Sequence, residues 1–236
     1  MHRLPRALRA APLVLGGCIL VNSNGPAISY DLQPQEFVED FGANSGNLMA
    51  IACTDDTVCQ QAPVPQGTTA SCDTTAGKCV LHADVLLSQT INLSQQPGFP
   101  QSVANSSAID GVTVGAVHYW TPANTLSFAS PPVDIYVGSQ TAQKETDPGV
   151  ALLGTVPSLP AGARTACRNG AAGTQDGACD MPLTDSGTAA LGALAKDYRT
   201  PFNVLVVAHV TVHAGDPLPS GKLDLFIQPV VAFQVK

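Results

Sequence analysis

Charge is scarce in this chain. Only 12% of its 236 residues are Asp, Glu, Lys or Arg, and the basic residues beyond Arg9 are single and scattered: Lys78, Lys144, Arg164, Arg168, Lys196, Arg199, Lys222 and Lys236. With no basic stripe to neutralise phosphates, nucleic acid is excluded as a partner. The apolar run near the N-terminus falls short of the roughly 20 residues that a membrane-crossing helix needs. Gly-x-Ser-x-Gly and glycine-rich phosphate loops are absent, so the usual marks of serine hydrolases and phosphate-binding enzymes are missing. What the chain does have is 44% apolar residues, 21 Gly and 19 Pro. That is too apolar and too weakly charged for disorder, and it predicts a folded core with many turns.

The opening MHRLPRALRAAPLVLGGC joins a basic start (Arg3, Arg6, Arg9) to a short apolar run, the two parts of an export signal. Within it, Leu15-Gly16-Gly17-Cys18 resembles the lipobox of bacterial lipoproteins. The resemblance implies cleavage before Cys18 and a diacylglycerol group, usually with a further acyl chain, on that cysteine. It makes residues 1–17 a lipoprotein signal peptide, residues 18–26 a tether, and the bacterial cell envelope the location, with the membrane as partner through the anchor. The leaflet is left open. Two or three acyl chains anchor stably because each buried CH2 contributes about 0.8 kcal/mol. The alternative places Cys18 inside a longer apolar run cut near Ser23. Losing the three signal arginines takes the formal charge from −7 to −10.

Of seven cysteines, Cys18 is the odd one; Cys53, Cys59, Cys72, Cys79, Cys167 and Cys179 form an even set suited to disulfides in an oxidising compartment. Cys167 and Cys179 close a polar, glycine-rich loop. The stretch 53–79 has almost no large apolar residue and reads as a cysteine-stapled loop insertion, for which three pairings are open. Its outline, C-x5-C followed by C-D-x-T-x-G-K-C, resembles cysteine-bearing modules of uncharacterised bacterial lipoproteins. That resemblance implies interlaced pairing, Cys53 with Cys72 and Cys59 with Cys79. Gaps of five and six residues are too wide for the usual zinc pairs. No metal and no cofactor are expected.

From Cys79 onward, period-2 alternation dominates. Leu81, Ala83, Val85, Leu87, Ile91 and Leu93 share one face, with His82, Asp84, Ser88 and Thr90 on the other. AISYDLQ reads as an earlier strand. Val112, Val114 and Ala116 line one side of DGVTVGAVHYW, and Pro131-Pro132 break a later strand passage. Val204, Val206, Ala208, Val210 and Val212, then Leu223, Leu225, Ile227, Val231, Phe233 and Val235, mark two long strands. The turn-rich AGDPLPSG between them predicts a β-hairpin. TDSGTAALGALAKDY is the good helix candidate, capped by Thr184 or Asp185 and stopped by Pro201. The expected fold is all-β: residues 27–236 as a single antiparallel β-sandwich with one short helix and the stapled insertion at 53–79.

No residue is assigned a catalytic role. Asp185-Ser186-Gly187-Thr188 resembles an aspartic-protease loop, yet no second copy exists to share the proton, and a helix N-cap explains it. His209 and His213 share a strand face about 13 Å apart, too far to hold one ion together. A pocket gathering two or more of His82, Asp84, His209, His213 and Asp185 would argue for a hydrolase. Trp120 beside Tyr119 is a candidate stacking surface, though such a pair more commonly packs. Asp55-Asp56 and the acids near Cys179 lack calcium-loop spacing and read as solvated turns. The sequence therefore points to a lipid-anchored, non-enzymatic structural or binding module. The alternative is a small-molecule or lipid carrier using the space between the sheets, since the strand–proline–strand passages NTLSFASPPVDIYVG, LLGTVPSLPAG and GKLDLFI, less than half the chain, are distantly similar in pattern to water-stress and late-embryogenesis sandwiches. Neither reading names ligand-binding residues.

Overall fold

A computed structural model describes residues 21–22, 25–43, 46–61, 68–106, 109–167 and 177–235, with the backbone alone at 21, 22, 25 and 26. Leu15 to Cys18, Ser23 and residues 168–176 lie outside the described residues. Two antiparallel sheets face one another. The first has the order β1 (Val21–Asn22), β2 (Gly25–Asp31), β11 (Lys222–Val235), β6 (Ile109–Asn124), β9 (Cys179–Asp180), with β3 (Gln35–Asp40) also pairing β11. The second runs β4 (Thr68–Asp73), β5 (Lys78–Ile91), β10 (Phe202–Val212), β7 (Val133–Ser139), β8 (Ala151–Val156). Inward residues of both, among them Phe37, Val85, Ile135, Val206, Leu225 and Phe233, form one core, so the chain is an antiparallel β-sandwich.

Alternation makes β11 central. Its apolar positions point inward while both edges are paired, to β6 on one side and to β3 and then β2 on the other. Pro229 survives in so central a strand because it falls where β3 hands over to β2. Its missing N–H faces that gap, and its carbonyl accepts the Leu32 amide at 3.0 Å.

Three expectations change in the structure. First, β10 and β11 are not a hairpin: they lie in different sheets, and residues 213–221 arch from one to the other. Turn residues end a strand without choosing its partner, and β10 is taken by β5 and β7 along its length. Second, Ala116 leaves the face of Val112 and Val114. A register shift at Gly115, between the pairs Val114–Val231 and Ala116–Val230, flips the phase, so Val117 and Tyr119 enter the core. Third, 53–79 is more than a loop: α1 (Asp56–Gln60) is followed by β4, which pairs with β5.

The predicted helix is α3 (Asp185–Lys196), with Thr184 as its cap, accepting the Gly187 amide at 2.9 Å. It packs across β6 of one sheet and β7 and β8 of the other, closing the gap between two sheet edges. At Gly187 the approach is so close that a Cβ would overlap the Leu152 carbonyl. A short helix, α2 (Gln101–Ala104), lies between β5 and β6.

Candidate functional site at the open end of the sandwich

The two ends of the sandwich are built differently. At the end where β2 begins and β11 finishes, Phe99 inserts from the β5–β6 connection. Its ring meets Tyr30 at 5.6 Å and Phe233 at 5.7 Å edge-on, and stacks on Tyr198 at 5.2 Å. The Tyr30 hydroxyl donates to the Pro97 carbonyl at 3.1 Å, so the polar tips are satisfied and the end is plugged. In the middle, side chains of the two sheets meet around Leu191, Val204 and Ile227 with no room for a water molecule.

The opposite end is open. Between β3 and the start of β11 on one side, and β5 and β10 on the other, lies an apolar crevice of ≈ 470 Å³, its mouth included. Phe37, Leu225, Val85, Leu87, Val206 and Ala208 wall it, and Phe41 and Phe128, edge-on at 5.4 Å, are on its rim. Most of that space is the open mouth: the room inside is ≈ 40 Å³, well below a pocket that encloses a whole small ligand, so a short apolar segment fits between the sheets and the rest of a ligand would lie in the mouth. One ionisable side chain faces this apolar wall: Glu39. Strand alternation puts Gln35, Phe37 and Glu39 on the inward phase of β3, and no described residue donates a hydrogen bond to the Glu39 carboxylate. Burial first, and the neighbouring Asp40 second, hold its carboxyl above the usual carboxylate range. The sequence reading did not single out Glu39. The available signal was a charge in the phase of a strand otherwise reserved for the core.

The histidines and acids weighed for catalysis are placed elsewhere. His82, Asp84 and His209 lie together on the outer, solvent-facing side of the second sheet, because His209 sits opposite Asp84 and His82 opposite Thr211. His209 Nδ1 and Asp84 Oδ1 are 2.8 Å apart; His82 contacts Ser71 Oγ at 2.8 Å through Nε2 and Thr211 Oγ1 at 3.3 Å through Nδ1. These are cross-strand pairs on an open face rather than groups converging in a pocket. His213 lies beyond β10, where its amide binds Asp216, and Asp185 opens α3 beside β8, at the other edge of that sheet.

No protein-family pattern and no curated protein matches the chain. A cryo-EM structure of mud crab tombus-like virus overlaps 100% of this chain and 94% of its own at 12% identity, with a TM-score of 0.24. Overlap that loose carries no functional argument, and the residues themselves remain the guide.

Three disulfides join Cys53 to Cys72, Cys59 to Cys79 and Cys167 to Cys179. Cys53, Cys59 and Cys72 bring their sulfurs within 4.8 Å of one another, but each is already bonded, so no thiolate is left for a metal. The two acids read as solvated turns have specific duties. Asp55 caps α1 by accepting the Thr57 amide at 2.9 Å, and Asp56 accepts the Cys72 amide at 2.7 Å. Near Cys179, Asp180 binds Nδ1 of the buried His118 at 2.7 Å. Trp120 is buried and stacks on Phe226 with ring centres 5.3 Å apart, so it offers no open face to a sugar.

Proposed function

We propose that this protein is a lipid-anchored, non-enzymatic binding module of a bacterial cell envelope, held by Cys18 and presenting its open end away from the membrane. One observation carries the reading: chain entry and crevice sit at opposite ends of β11. Ala27, the first residue after the backbone-only stretch, pairs with Gln234, whereas Leu223 lines the crevice. Eleven strand steps separate these two residues of β11, about 35 Å. An acylated Cys18 lies only nine residues before Ala27, so the plugged end would face the bilayer.

The stapled segment supports the same arrangement, because it gathers at the far end. Asn47, six residues before it, bridges Pro217 on the arch, and Leu81 near the start of β5 pairs with Val212 at the end of β10, so the β4–β5 hairpin turns there. Disulfides and caps stiffen that surface, which lowers the entropy lost when it binds something. Fractionation tests the anchor: the wild type should sediment with membranes, and Cys18→Ser should appear in the soluble fraction or accumulate unprocessed. A wild type that is soluble without detergent would overturn the reading.

The second reading, a carrier for a small apolar molecule, is favoured by the crevice. Because the centre of the sandwich is filled, cargo would be held at the open end and not in a central cavity.

A further inference from the structure

We propose that the crevice takes an amphiphile with an aliphatic chain and a cationic head, the chain lying between the sheets and the head paired with Glu39. The inference rests on the carrier reading and names its ligand class.

The walls select the tail. Phe37, Leu225, Val206 and Ala208 present carbon to the cleft, and the one wall hydroxyl near them, Ser130, already accepts the Leu159 amide at 3.0 Å. An apolar chain laid there removes surface from water without stranding a polar group, and a polar ligand body would find no partners.

Glu39 selects the head. A carboxylate half-withdrawn into an apolar cleft loses hydration, and it persists at low cost only where a donor or a cation restores what burial removes. No described residue supplies one. The lysine on the strand paired with β3, Lys222, is engaged at 2.9 Å with Asp224 and sits opposite Asp40, which alternates to the other face of β3. An ammonium group would therefore gain a charge-assisted hydrogen bond that no described residue already satisfies, and a carboxylate or sulfate head would meet repulsion from Glu39. The net charge of −7 adds a long-range bias of the same sign.

The experiment compares octylammonium, octanol and octanoate binding to full-length Cys18→Ser protein by calorimetry at neutral pH and low salt, with Glu39→Gln and the crevice-filling Ala208→Leu in the same background. Octylammonium should bind about tenfold tighter than octanol, and octanoate weakest. Glu39→Gln should erase the ammonium advantage while leaving octanol unchanged, and Ala208→Leu should weaken all three. Octanoate binding as tightly as octylammonium, or a preference that survives Glu39→Gln, would overturn the assignment. So would the absence of binding by all three probes, which would leave the anchored display module standing, because that is read separately by fractionation.

Discussion

Single side chains carry most of the asymmetry in this molecule. Glu39 is a charge on the inward phase of β3, in line with the buried Gln35 and Phe37, and its raised carboxyl pKa means that the folded state holds the proton more tightly than the unfolded chain does. The resulting penalty is absent below the unfolded pKa, where both states are protonated, and complete above the folded pKa. Glu39→Gln should therefore raise the melting temperature at neutral pH, with the gain shrinking as the pH falls into the acid range; thermal unfolding at several pH values checks this. Gly187 is the converse case, a residue defined by what it lacks. Gly187→Ala should cost about 3 kcal/mol, because α3 must back away from the Leu152 carbonyl, and chemical denaturation measures it.

Elements are fixed by local chemistry, and their partners by something larger. β5 and β10 were legible as strands from alternation, and a cap at Thr184 or Asp185 with a stop at Pro201 marked α3. The pairing of β10 was not legible. AGDPLPSG suits a hairpin as well as an arch between sheets, and the choice depends on β5 and β7 occupying both edges of β10. The phase flip at Gly115 was hidden for a similar reason: only the misfit against β11 shows where the extra residue falls. In the stapled segment, Cys59 and Cys79 tie α1 to β5 across a separation of 20 residues. Replacing both by serine should cost about 3 kcal/mol on the chain-entropy account, with the loss centred on α1 and β4. Hydrogen exchange should show protection falling there while β10 and β11 stay protected.

Across the whole molecule, one end is sealed and the other open. Phe99, touching three aromatic rings, belongs to the sealed end, whereas the half-buried Phe128 touches Phe41 at the rim. Phe99→Ala should destabilise by about 3–5 kcal/mol and Phe128→Ala by about 1 kcal/mol, a contrast that urea unfolding resolves. Similar losses at the two positions would mean that the crevice is packed as tightly as the plug. If the chain is anchored as proposed, the same polarity would give it a direction, with β2 leaving the plugged end and the stiffened loops and crevice at the far end.

The sequence by itself determined the class of fold, the positions of the long strands and of α3, and the even set of six cysteines after Cys18, because alternation, capping and turn chemistry act between near neighbours. Only the tertiary structure decided which strands share a sheet, that Trp120 is covered, that His82, Asp84 and His209 face open solvent, and that Glu39 faces an unfilled cleft. Each of those depends on which distant segment arrives opposite a given residue. A period of two says that a side chain points inward or outward, and says nothing of whether another side chain fills the space it points into.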